Sequence, residues 1–286
     1  MISCFSVEFQ TPNGLQLRGL WYGPKKPERT ILFVHGLGGS VFSMRNLLPG
    51  LADKKTAVLS FGNRGHDQVS VLTRHVGTKK ERIQAGAAHE KFVDCVDDID
   101  GAIAFVKQQG AQSIYLAGHS TGCQKSAYWA YKRGQGVKGI ILLAPISDWA
   151  AAMKIQGVAQ VQKATRAAMK LVAAKKPHTL LPEGVWHETL DAQRFLSLYS
   201  RDSVEEIFSY AQPKKSPKVL RSIKIPMLVL MGEKDEFADR PASEIGLWFK
   251  AYIADHSSVD VIVGATHGFD NAEEQTAETI RKFIQR

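Results

Sequence analysis

Apolar residues in the first forty positions fall in short β-rich runs at 4–9, 15–22 and 30–34, the first two separated by Pro12-Asn13-Gly14. A Pro-Asn-Gly segment between such runs is a turn signal, so the pattern predicts an N-terminal hairpin leading into a third strand. Beyond it the pattern alternates between two kinds of segment. Short, nearly continuous apolar runs occur at 57–61, 113–117, 139–143, 227–231 and 259–263, as expected of strands in a sheet covered on both sides. Between them lie helical patterns at 88–109, from Thr121 onward, at 242–254 and in a last segment running to Arg286. The clearest is 88–109, where Phe92, Val96, Ile99, Ile103 and Val106 recur every three or four residues. They should face the sheet, leaving Asp94, Asp97, Asp98 and Asp100 on a solvated face. The alternation predicts an α/β fold with a mainly parallel, roughly eight-stranded sheet and helices on both faces.

The alternation breaks between residues 146 and 224. An Ala- and Lys-rich helical stretch at 150–176 is followed by Pro177, by Pro182-Glu183-Gly184, and by an aromatic run containing Trp186, Phe195, Tyr199 and Phe208. This segment is expected to be a helical cap inserted into a core made of residues 1–145 and 225–286. Its aromatic residues, with Trp149, are expected either to pack the cap or to line a pocket beneath it. A chain of 286 residues is near the upper limit for one hydrophobic core, which fits one main domain with an insertion better than two domains.

Composition narrows the function classes. Hydrophobic residues at 44% and charged residues at 23% are ordinary for a globular enzyme, and no apolar run is long enough to span a bilayer, so stable membrane association is not expected. The opening residues lack a basic segment and an apolar run of secretory type. Cys4, Cys95 and Cys123 match neither a disulfide framework nor zinc spacing, and are expected to be reduced thiols of a cytoplasmic protein. The net charge of +9 leaves an anionic substrate open. It does not argue for nucleic acid, because the basic stretches 163–176 and 214–224 carry no interleaved aromatic residues.

The chemistry concentrates in three places. After the run at 113–117 stands Gly118-His119-Ser120-Thr121-Gly122, the G-x-S-x-G pattern, opening a helix. A serine at a sharp strand-to-helix turn is held in strained backbone geometry, which presents its hydroxyl above the sheet and brings the Thr121 amide to the same point. Such a hydroxyl needs an imidazole base, and the base needs a carboxylate to fix its tautomer. His267, in Gly264-Ala265-Thr266-His267-Gly268-Phe269 after the last strand, lies on the sheet edge where active sites of parallel sheets collect. Asp235, in Gly232-Glu233-Lys234-Asp235 after the preceding strand, is the chosen acid, with Asp148 as the alternative position. Glu233, Glu236 and Asp239 read as exposed loop charges. Upstream, His35-Gly36-Leu37-Gly38-Gly39-Ser40 lacks the Lys-Ser/Thr of a phosphate loop and fits a segment that presents the Leu37 amide to an oxyanion, with His35 supporting it.

Together these residues resemble the α/β-hydrolase superfamily over nearly the whole chain, closest to its single-domain serine esterases and lipases. Residues 118–125 and 195–203 also bear a fainter likeness to a group that includes siderophore-ester hydrolases. The resemblance implies Ser120 as nucleophile, His267 as base, Asp235 as acid, an oxyanion hole of the Leu37 and Thr121 amides, a small-molecule ester substrate, and neither metal nor organic cofactor. Asn63-Arg64-Gly65-His66 resembles a structural corner of that family, and the long polar connection 67–87 departs from it and is expected to border a substrate entrance. Two alternatives stay open: a triad-bearing hydrolase of a thioester, amide, lactone or C–C bond, and a binding protein with residual turnover.

Overall fold

The structure is a computed structural model that describes residues 2–286. Its elements follow in the order β1 (Cys4–Gln10), β2 (Gln16–Tyr22), β3 (Arg29–Val34), α1 (Leu48–Leu51), β4 (Thr56–Phe61), β5 (Ser70–Val76), β6 (Lys79–Ala85), α2 (Cys95–Gln108), β7 (Ser113–His119), α3 (Thr121–Arg133) and β8 (Gly139–Leu143). Helices α4 (Asp148–Ile155), α5 (Val158–Ala173), α6 (Ala192–Tyr199) and α7 (Lys218–Ser222) come next, then β9 (Met227–Gly232), α8 (Ala242–Tyr252), β10 (Ser258–Ile262) and α9 (Glu273–Ile284).

Eight strands form one sheet in the order β1-β2-β4-β3-β7-β8-β9-β10. The β1–β2 hairpin and the β2–β4 pairing are antiparallel, and every pairing from β4 to β10 is parallel. This is the mainly parallel, eight-stranded α/β sheet that the alternation predicted. Alternate residues of the buried strands feed two cores. Leu32, Leu116, Leu142 and Val229 pack with Ile99 and Ile103 of α2, Ala127 of α3, and Ile245 and Phe249 of α8. Ile31, Phe33, Ile141 and Leu228 pack on the other face with Leu48 and Leu51 of α1 and Ile280 and Phe283 of α9. Helices therefore cover both faces, which is why the strands read as unbroken apolar runs.

Between β8 and β9 a third apolar cluster forms from Ala152, Val161, Ala164, Ala168, Trp186, Phe195, Leu198 and Tyr199. Ile207, Phe208, Tyr210 and Leu220, although within the same insertion, belong to the main core.

Four local expectations differ from the structure. The helix expected from residue 88 begins at Cys95, after a 3-10 turn at Phe92–Asp94. The preceding backbone is engaged elsewhere: Ala88 N donates to Gln68 O and Asp191 N donates to Ala88 O, both at 2.9 Å. The helical stretch at 150–176 is broken at Gly157, whose φ of 81° suits glycine and separates α4 from α5. The connection 67–87 folds as the β5–β6 hairpin and packs beside β2, with Leu15 bridging Arg74. Lastly, Asp98 is fully buried rather than solvated, accepting from Arg64 Nη2 at 2.7 Å and from the Arg64 amide at 2.8 Å, while Asp94 takes Arg64 Nη1 at 2.9 Å. Asp94 and Asp98 thus hold the Asn63–His66 corner, and among the described residues no group of side chains has metal-binding geometry.

Candidate active site

Ser120 lies between β7 and α3 with φ 53° and ψ −125°, a left-handed conformation that a residue with a Cβ adopts only under constraint. The turn is pinned on both sides: Ser120 N donates to Leu143 O at 3.0 Å, and Cys123 N donates to Ser120 O at 2.8 Å. Its tightness accounts for the flanking glycines. A Cβ on Gly118 would stand 2.2 Å from Gly122 O, and one on Gly122 would stand 2.1 Å from Val34 O. Gly36 approaches from the loop after β3, where a Cβ would lie 2.9 Å from Ser120 Cβ. That approach carries Leu37 to the cavity containing Ser120. Thr121 opens α3, so its amide has no intrahelical acceptor.

His267 follows β10 and lines the same cavity as Ser120. Its Nδ1 lies 2.8 Å from Asp235 Oδ2. A carboxylate can only accept, so Nδ1 carries the proton and Nε2 keeps its lone pair. The Asp235 side chain is completely buried, and its Oδ1 accepts from Phe237 N at 3.0 Å. Asp148 also borders the cavity, but its Oδ2 accepts from Gln124 Nε2 at 2.6 Å and no bond joins it to His267 among the described residues. Burial, reinforced by Glu205 and Glu206, pushes the Asp148 carboxyl well above the ordinary carboxylate range.

Two loop carboxylates have more to do than their exposure foretold. Glu233 Oε2 accepts from Gly264 N at 2.8 Å, and Glu236 Oε2 accepts from His267 N at 3.0 Å, so together they tie the histidine loop to the loop after β9. Asp239 instead pairs with Arg240. His119 is a participant that spacing does not reveal, since any residue can precede the serine of the motif. Its Nε2–H donates to His267 O at 2.9 Å and its ring lies 5.0 Å from the His267 ring, centre to centre. Burial, then the neighbouring His267, lowers its pKa to about 4, so it stays a neutral donor that fixes the histidine loop. His35 is fully buried, accepts from Asn63 N through Nε2 at 3.2 Å, and donates from Nδ1 to Gly36 O at 2.8 Å. Burial lowers its pKa to about 3, which suits a neutral prop for the Gly36-Leu37 loop.

The cavity has a volume of about 500 Å³. Its apolar lining includes Leu37, Met44 and Phe237 from the core and Ile146 and Ile155 from the insertion, which also adds Trp186, His187, Glu188 and Tyr199. Of the aromatic residues expected in the insertion, Trp186 and Tyr199 reach the cavity, whereas Phe195 and Phe208 are core. Trp149 lies under Arg201 at 5.8 Å. No residue of 67–87 is part of the lining, so the β5–β6 hairpin is not the entrance border expected of that connection.

Comparison with known proteins agrees with this architecture. A siderophore hydrolase from Aspergillus fumigatus superposes with a TM-score of 0.69 at 18% identity, over 96% of this chain and 97% of its own. An esterase from Butyrivibrio proteoclasticus with bound ferulic acid gives 0.61 at 18%, over 98% of both chains. An esterase from Pyrococcus furiosus gives 0.59 at 16%, over 100% of this chain and 91% of its own. At such identities the likeness establishes a shared fold, that of the α/β-hydrolases. No curated protein matches the sequence. A family model does match, over residues 91–285, more than half of the chain, and the chain therefore belongs to the family described as Protein of unknown function (DUF1749).

Proposed function

We propose that the protein is a serine hydrolase that cleaves small or medium carboxylic esters through an acyl-enzyme. The observation that carries this reading is the strained Ser120 in one cavity with His267, whose Nδ1 is held 2.8 Å from Asp235. Ser120 Oγ attacks the ester carbonyl while His267 Nε2 takes its proton. Asp235 keeps the proton on Nδ1 and stabilises the imidazolium. The tetrahedral oxyanion accepts hydrogen bonds from the Leu37 and Thr121 amides. His267 then returns the proton to the leaving alkoxide, and a water activated by the same nitrogen releases the acid. Residues 146–224 act as a cap that supplies the far wall of the cavity. The free thiols Cys4, Cys95 and Cys123 suit a reducing, cytoplasmic setting.

The test is covalent labelling with a fluorophosphonate, followed by peptide mapping. The expected result is modification at Ser120 alone, abolished in His267→Ala. Labelling at another serine, or none in folded protein, overturns the mechanism.

A further inference from the structure

The chain carries 37 lysines and arginines, yet none of them lines the cavity that holds Ser120 and His267. The acidic side chains in its lining are two carboxyls, Asp148 and Glu188. Neither forms an ion pair with a lysine or arginine among the described residues. Glu188 is a fixed acceptor: its Oε2 receives Tyr199 Oη–H at 2.5 Å and Trp186 Nε1–H at 3.1 Å. Its Oε1 has His187 Nε2 at 4.0 Å, beyond hydrogen-bond reach, and so stays available. The rings that hold Glu188 also belong to the lining, with the Trp186 and Tyr199 centroids 4.9 Å apart. A carboxylate held at the polar edges of two aromatic rings that also line the cavity is matched by a cation, which gains from the carboxylate charge and from contact with the rings.

We propose that Glu188, Trp186, Tyr199 and Asp148 form a cation subsite, so that the preferred substrates are esters bearing an alkylammonium group. The assignment rests on the ester-hydrolase reading above and names its substrate class. It also turns away from the anionic substrate that the net charge of +9 left open, because no lysine or arginine lines the cavity. Asp148 contributes in a second way. Burial disfavours its ionised form, and a cation arriving beside it offsets that penalty. Gln124, fully buried, holds Asp148 Oδ2 in place at 2.6 Å.

The experiment compares two p-nitrophenyl esters of equal shape, one with a trimethylammonium group at the end of a butyryl chain and one with a tert-butyl group in its place. The quaternary cation neither titrates nor cyclises. The expected kcat/KM ratio, cationic over neutral, is about tenfold or more, falling towards one in Glu188→Gln. Glutamine retains an acceptor for Trp186 and Tyr199, and an unchanged thermal transition verifies folding. Asp148→Asn, a second variant away from the Trp186 contact, should lower the ratio as well. Hydrolysis of the neutral ester with a ratio near or below one overturns the subsite while leaving the hydrolase intact. A high ratio that survives both variants likewise overturns it. Binding of the matching non-hydrolysable amides, followed by calorimetry, separates the two proposals. If neither ester turns over but the cationic amide binds about tenfold tighter and loses that margin in Glu188→Gln, the subsite stands and the hydrolase reading falls. Equal affinity for the two amides removes the subsite.

Discussion

Arg194→Met tests the charge network that joins the insertion to the core. Arg194 is completely buried and lies between Glu205 and Glu90, with Nη2 3.2 Å from Glu90 Oε2. Lys125 Nζ, also completely buried, meets Glu90 Oε1 at 2.6 Å. Two cations thus balance two carboxylates, and although burial alone would raise the Glu90 carboxyl, Lys125 and Arg194 hold it below the ordinary range. Methionine matches the arginine stem but leaves one carboxylate without a partner. The uncompensated group can escape by taking a proton. At pH 7, for a glutamate of ordinary unfolded value, that costs about 3.5 kcal/mol, within the range of about 3–5 kcal/mol for breaking a buried pair. In a chain of this size such a loss lowers the melting temperature by about 10 °C. At pH 5.5 the proton costs only about 1.5 kcal/mol, so the deficit relative to the parent should shrink by more than half. The assay is urea unfolding of parent and variant at the two pH values, with Arg194→Met/Glu205→Met as the control that restores neutrality. A deficit equal at both pH values and not relieved in the double variant would show that packing, not uncompensated charge, accounts for the loss.

Three further outcomes are expected. Asp235→Asn presents the wrong tautomer of His267 and should lower turnover of p-nitrophenyl butyrate about ten-thousand-fold; Asp148→Asn should cost far less, and the opposite order would move the acid to the loop after β8. Ser120→Ala and His267→Ala should each remove most turnover, and the double variant should be no worse than either, since the residues act as a unit; steady-state rates whose losses multiply would separate their roles. His35 has its pKa lowered to about 3 by burial, so between about pH 6.5 and that value the unfolded chain binds a proton that the native state refuses. Its contribution to stability is present above pH 6.5 and declines on acidification, by about 2 kcal/mol at pH 5, and His35→Gln should flatten the measured stability–pH slope there.

What the sequence disclosed was whatever repeats locally. The strands at 57–61, 113–117 and 227–231 were readable because burial on both faces forces continuous apolar runs, and the serine turn because its steric demands fix two glycines within five positions. The order of Ser120, Asp235 and His267 could be read for the same reason, each standing just past a strand end. What remained hidden depends on partners far along the chain. Nothing near Glu90 shows that Lys125 and Arg194 will surround it, so 88–91 looked helical. Asp98 carried the pattern of a surface charge until Arg64 was brought to it. Glu236 and His119 gained their contacts to His267 only when neighbouring strand ends converged. The β5–β6 hairpin was obscured because β6 is largely exposed and polar and β5 is only half-buried, which weakens the alternation that marks a strand.

The chain order of the sheet also governs when the proposed chemistry can exist. The serine turn is pinned once β8 has followed β7 and α3, but the proposed base waits on β10, an edge strand that pairs with β9 alone. During synthesis from the N-terminus, more than a hundred further residues must leave the ribosome before His267 is available. On the proposed mechanism, a nascent or C-terminally truncated chain would carry the Ser120 hydroxyl with nothing to take its proton. The proposed reactivity would then be acquired only when the final strand closes onto the sheet, so the timing of assembly would itself guard against premature acylation.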